Sequence, residues 1–249
     1  MGFGMGTFDG EMTDITAEAH HDHRDITGGP ARAAVFGMSD GLTTNVALIL
    51  GVAGAHPAAG VVRLAGLAGL IGGAFSMAAG EWVSMKAQAE LLERELAMER
   101  REIARAPDKE RRELAAIYRH RGIDRTTADS MAAQVMADPD LALEVHAREE
   151  MGVNPDSLGS PIKAALSSFG TFAVGALVPL VPWFFGTGRS VVLVSLLMAA
   201  VAALLVGAAL GQFTGRSRTF SAVRQLGIAA AASIVTYGVG ALVGVSGAA

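Results

Sequence analysis

The 249-residue chain has no cysteine, and its aromatic content is low: ten phenylalanines, two tyrosines and two tryptophans. Without thiols there can be no disulfide framework, thiolate metal centre or thiol nucleophile, so a metal here must be held by oxygen, imidazole or thioether. Acid is missing from the C-terminal third, because all 24 Asp and Glu lie between residues 9 and 156. No glycine-rich loop followed by Lys and Ser/Thr occurs, which argues against intrinsic ATP hydrolysis. The net charge is −4, and neither nucleic acid nor an organic cofactor is an expected partner. The chain does not read as an enzyme.

What is present is apolar and small. Hydrophobic residues make up 51% of the chain, glycine contributes 31 positions, and mean hydropathy is +0.39. That composition is a membrane protein's. Five stretches are long enough to cross a hydrocarbon core, which takes about 20 helical residues: roughly 31 to 55, 60 to 84, 162 to 186, 189 to 213 and 222 to 247. The first starts behind a polar tail, and no cleavable signal is evident. The expected class is an all-α membrane protein with five transmembrane helices and a helical insert between spans 2 and 3. Its segments are a polar His- and acid-rich tail (1–30), spans 1 and 2 (31–85), the insert (86–160) and spans 3 to 5 (161–249).

The insert is dense in charge and in helix formers. Pro107 should end the helix that runs out of span 2. Residues 108–121 read as the next helix with Gly122 as its stop, and 127–137 and 140–151 as two more, the last closed by Gly152. Tail, insert and the "GRSRTFSAVRQ" connection alternate onto one side and hold 18 of the 20 basic residues, leaving Arg63 and Arg189 on the other. The positive-inside rule makes that side cytosolic and puts the C-terminus outside. The expected location is a bacterial plasma membrane. An odd number of spans suggests a pathway formed between two copies. Gly66, Gly69, Gly73, Ser76 and Gly80 would let span 2 approach a neighbour closely, whether in the partner copy or in the same chain.

Only Asp40 and Glu81 are acids within the spans. An ionisable side chain at mid-bilayer costs at least about 2.5 kcal/mol, so each is a candidate functional group. Asp40 has Thr44 one turn along, and Ser39, Thr43 and Asn45 beside it, a polar flank suited to a wet cavity. Glu81 lies between Met77 and Met85 at one-turn spacing, an oxygen and thioether stripe suited to ferrous iron or manganese. An interface position with the charge reaching water is the plainer alternative for both acids. In the insert, Glu95, Glu99 and Glu102 share one face, and Glu110 and Glu113 repeat the pattern. Like charges at this spacing destabilise a helix. Glu102 with Arg105 offers one mitigating pair, and a solvated salt-bridged face is the plain reading. His146 and Glu150, with Glu149 adjacent, have metal-ligand spacing.

These segments together carry a resemblance. "RAAVFGMSDGLTTNVALILGVAGA", "GGAFSMAAGEWVSMKAQAEL", "ERREIARAPDKERRELAAIYRHRGI" and "DPDLALEVHAREEMGV" resemble the vacuolar iron transporter family from about His20 to the C-terminus. The resemblance implies a homodimer in lipid with the metal path at its two-fold axis and a cytosolic metal-binding domain extending from span 2. It implies export of ferrous iron, often manganese, in exchange for protons, with the divalent metal as cargo. Asp40 and Met77 would then be translocation ligands, with Glu81 a proton-coupling or second metal group. Glu99, Glu102, Glu110, Glu113 and Glu150 match the family's cytosolic glutamates; Glu95, His146, Glu149, Thr44 and Met85 are further candidates. One departure is His146 and Ala147, where some relatives carry methionines. The histidines His20, His21 and His23 resemble a histidine-containing lead-in. A manganese-selective exporter and a membrane-anchored sensor or buffer are the competing functions.

Overall fold

The computed structural model describes residues 30–153 and 159–246. The N-terminal tail and its histidines lie outside the described residues. Among the described residues eight α-helices run in order: α1 (Pro30–Gly54), α2 (Ala59–Arg105), α3 (Pro107–His120), α4 (Arg125–Val135), α5 (Pro139–Glu149), α6 (Pro161–Leu180), α7 (Arg189–Phe213) and α8 (Arg218–Ser246). A 3₁₀ turn, Val181–Phe184, extends α6. Five of these helices are long and apolar enough to cross a membrane, and no strand occurs among the described residues. The all-α, five-span expectation holds.

Span 2 and the first helix of the insert are one object. At 47 residues α2 is about 70 Å long, more than twice a hydrocarbon core. Its apolar half packs in the bundle and its charged half stands clear of it. It stops at Arg105, and Pro107 opens α3, where a missing N–H costs nothing. Gly122 ends the next turn at φ 94°, a left-handed conformation that side chains resist. Asp124 then caps α4 by accepting from the backbone N–H groups of Thr126 and Thr127 at 3.0 and 3.1 Å. Asp138 does the same for α5. Leu114, Ala115, Tyr118, Ala128 and Ala132 bury a small core of their own.

In the bundle α1 is central, packed by α2, α6, α7 and α8. Glycine makes this possible. A Cβ on Gly41 would collide with the Phe172 backbone of α6, one on Gly175 with the Met38 carbonyl, and one on Gly240 of α8 with the Gly51 carbonyl. Close approach of backbones replaces bulky packing, as membrane helices require when lipid is as apolar as leucine. Leu42, Val46, Leu50, Ala199, Ala203 and Ala229 fill the space between α1, α7 and α8.

The polar flank of Asp40 divides. Ser39 and Thr43 sit at 2.7 and 3.4 Å from the Gln225 amide, which donates to both. Asn45 is buried and donates to the Ala176 carbonyl at 2.6 Å. These three residues join helices rather than line a wet cavity, because a polar group in hydrocarbon must find a partner within the protein. Only Thr44 stays with Asp40, at 3.3 Å. At Pro179 helix α6 continues for one residue and then tightens into the 3₁₀ turn; the Pro179 carbonyl accepts from the Ser195 hydroxyl at 2.5 Å.

Candidate metal sites in the bundle and the insert

Arg32, Phe36, Asp40 and Thr44 follow one another at four-residue spacing along α1, and all four are exposed on the single chain. Arg32 binds Glu81 of α2 at 2.7 Å. Glu81 lies 22 residues into α2, about 33 Å from its start, so the ion pair marks the insert-side edge of the bundle. Asp40 is two turns deeper, about 12 Å. Met77 lies one turn deeper than Glu81 and packs against the Ala74, Phe172 and Ala176 cluster. Met85 is half-buried one turn beyond Glu81. The structure therefore ranks these residues by depth: Glu81 at the rim and paired with Arg32, Asp40 two turns further along the exposed face and bonded, among the described residues, to Thr44.

The insert gathers its acids much more tightly. Glu99 of α2, Glu110 of α3 and His146 of α5 bring one ligand atom each to within 4.8 Å of one another. Glu110, Glu113 and Glu150 form a second such triad, and Glu110 belongs to both. Glu110 is 1% exposed and His146 not at all, so water cannot do the neutralising. His146 Nδ1 faces Glu99 at 3.2 Å and Glu150 at 3.0 Å. Two carboxylates therefore face one imidazole nitrogen, and a metal held by that nitrogen would need it free of hydrogen. The other ring nitrogen, Nε2, is buried without a partner. Glu102 sits close enough to Glu99 to repel it.

The cluster concentrates like charge. Burial pushes the Glu110 carboxyl above the ordinary carboxylate value, opposed by Lys109, and Glu113 adds like-charge repulsion. Lys109 bridges Glu110 at 3.3 Å and Glu113 at 3.2 Å, and both partners raise its own pKa. The Glu102–Arg105 pair is not among the ion pairs of the described residues; Lys109 supplies the mitigating charge. Carboxylate oxygens with one imidazole suit a borderline divalent ion such as manganese or ferrous iron. Glu149 turns away to Arg121, and Glu95 is half-buried outside both triads.

Sequence reasoning passed over Lys109 and Arg32. Lys109 and Glu113 stand at the i, i+4 spacing of a helical ion pair, a signal available in advance. Arg32 and Glu81 are 49 positions apart, and no local pattern joins them.

Five spans, a glycine-packed bundle and an acid cluster on the extension of the second span define an all-α integral membrane protein. The sequence model of the VIT family matches residues 31–241, and the chain belongs to that family. It is 34% identical over 221 residues to vacuolar iron transporter 1 of Oryza sativa subsp. japonica, covering 88% of each chain. It is 35% identical to the vacuolar iron transporter of Acanthamoeba castellanii, over 87% of this chain and 79% of that one. With the vacuolar iron transporter of Centaurea cyanus it shares 30% over 92% and 94%.

Proposed function

We propose that this protein is a divalent metal transporter that carries ferrous iron, and manganese as a second cargo, out of the cytosol in exchange for protons. The observation that carries the reading is Glu110, buried and shared by two triads of metal-ligating side chains, and facing more negative charge than Lys109 alone can balance. The relatives' names support iron as the cargo.

In this reading the insert is the cytosolic metal-binding domain. Glu99, Glu102, Glu110, Glu113, Glu150 and His146 collect the ion and replace part of its water shell. The ion then moves along the stem of α2 to the bundle, where Glu81 exchanges Arg32 for metal or proton and Met77 and Asp40 form the deeper station. A carboxylate that holds either metal or proton is the simplest coupling element. Metal binding favours its charged form, and a proton arriving from the far side favours release.

The exposed stripe on α1 supports a homodimer. An aspartate two turns inside the bundle would be costly against lipid, and Gly72 and Gly80 of α2 have open space beside them. A second copy covering this face would hide Asp40 and place the two aspartates about one axis. The asymmetry of basic residues supports the insert facing the cytosol. The bacterial plasma membrane expected from sequence draws no support from relatives named for the vacuole, so the proposal extends only to an energised membrane.

Ferrous iron and manganese uptake into proteoliposomes under an imposed pH gradient tests this. Gradient-driven flux in wild type that is lost in Asp40→Asn supports transport through Asp40. Wild-type vesicles that bind metal but never carry it would make the protein a sensor or buffer.

A further inference from the structure

Helix α8 presents one side to the outside of the bundle. Phe220, Val223, Ile228, Ile234 and Val235 are exposed along it, the lipid-facing stripe of a membrane helix. One charge interrupts the stripe. Arg224 is exposed between Val223 and Ile228, about 9 Å along the helix from Arg218. The next residue fixes its depth. Gln225 donates to the Ser39 hydroxyl at 2.7 Å, so Arg224 stands level with Ser39 and Asp40, inside the rim that Arg32 and Glu81 mark. An arginine facing hydrocarbon at that depth is costly unless its head reaches an anion.

No acid of the chain answers this charge. From residue 157 to the C-terminus the sequence contains no Asp or Glu. Asp40, level with Arg224 on the neighbouring helix, is bonded to Thr44 instead. Two further arginines stand where α7 turns into α8, Arg216 in the turn and Arg218 as the first residue of α8. All three are exposed, and none is in an ion pair among the described residues. The run from Arg216 to Arg224 thus carries three positive charges, no negative one and exposed apolar residues between them, at the membrane end of a span. That pattern complements an anionic leaflet.

We propose that the outward face of the α7–α8 turn binds the headgroup of an anionic phospholipid of the insert-side leaflet. Arg216 and Arg218 donate to the phosphodiester oxygens at the surface, and Arg224 extends along α8 to the same headgroup layer. Phe220, Val223 and Ile228 lie beside the acyl chains. A zwitterionic lipid offers the same phosphate, but its ammonium opposes the three arginines, so the surface selects net negative charge. The proposal is independent of the cargo and stands even if the protein carries no metal.

The test is native mass spectrometry of the full chain, delipidated in detergent and titrated separately with phosphatidylglycerol and phosphatidylcholine of matched acyl chains. The expected result is a preference for phosphatidylglycerol of roughly tenfold or more. The preference should be lost in Arg218→Gln/Arg224→Gln. It should be kept in Arg94→Gln/Arg101→Gln, which removes the same charge from an exposed face of α2 in the insert. All four positions are exposed, so unchanged thermal melts will show that both variants fold. Arg216→Gln, in the turn, should weaken the preference by a smaller factor. Equal affinity of wild type for the two lipids, a preference that survives Arg218→Gln/Arg224→Gln, or one lost equally in the insert variant would overturn the proposal. A shift in oligomeric state in Arg218→Gln/Arg224→Gln with the lipid preference intact would also overturn it, and would give this face to a second copy of the chain.

Discussion

In the bundle, helices meet where side chains are missing; in the insert, they meet where side chains are charged. Gly41, Gly175, Gly51 and Gly240 let α1 touch α6 and α8 backbone to backbone. Such contacts have one geometry and no tolerance. Three of the insert's helices, α2, α3 and α5, converge on Glu99, Glu110 and His146, a set with like charges that a bound cation would relieve. The first region is built to keep its shape, and the second would gain stability from a cation bound among its acids. One long helix, α2, belongs to both.

Substitutions can break this contrast at either end. The largest effect is expected for Gly41→Leu, whose added atoms meet the Phe172 backbone and no movable side chain. It should cost about 3 kcal/mol or more, the upper range of overpacking, and abolish a monodisperse peak in detergent. Gly60→Leu, with open space beside it, should leave the melt unchanged. Next comes Glu110→Gln. It should lower manganese affinity by about tenfold or more, close to 1.4 kcal/mol, while raising the melting temperature of the metal-free protein, since a buried charge is removed. Calorimetric titration and a thermal scan read the two opposite signs.

A smaller effect is expected for Arg32→Gln, because Arg32 is half exposed and such pairs contribute under about 1 kcal/mol. The melt should barely move, while free Glu81 should bind metal more readily at the rim. The smallest is Asp124→Ala in the insert. Hydrogen bonds from Thr127 and Thr126 hold the Asp124 carboxyl below its usual value of 3.8. A depressed folded value contributes stability above the unfolded value and loses it as pH falls through the folded one. The variant should therefore melt slightly earlier than wild type near neutral pH, and the gap should close below pH 3.8.

Much of the fold was legible because its signals are local. Span lengths, Pro107 at the break after α2, and Gly122 and Gly152 as stops all depend on a few adjacent residues. The acid faces were legible too, since Glu99, Glu102, Glu110 and Glu113 repeat at helical spacing. Partners were not. Ser39, Thr43 and Asn45 look like Thr44 in sequence, yet Gln225 and Ala176 claim them and leave Thr44 to Asp40. Which side of α1 faces α6 and α8 decides that, and only the packing reveals it. Glu81 is a similar case: its neighbours Met77 and Met85 are visible in the chain, but Arg32 reaches it from another helix.

In the proposed transport the labour is divided, with Glu110 gathering the ion and Asp40 passing it. Initial rates of gradient-driven ferrous iron flux into proteoliposomes, taken over a wide metal range for wild type, Glu110→Gln and Asp40→Asn, test it most directly. Glu110→Gln should raise the half-saturating concentration and recover near wild-type flux at high metal. Asp40→Asn should stay slow at saturation, the signature of a step beyond binding. Wild-type maximal flux in Asp40→Asn, or a Glu110→Gln defect that saturating metal cannot rescue, would contradict it.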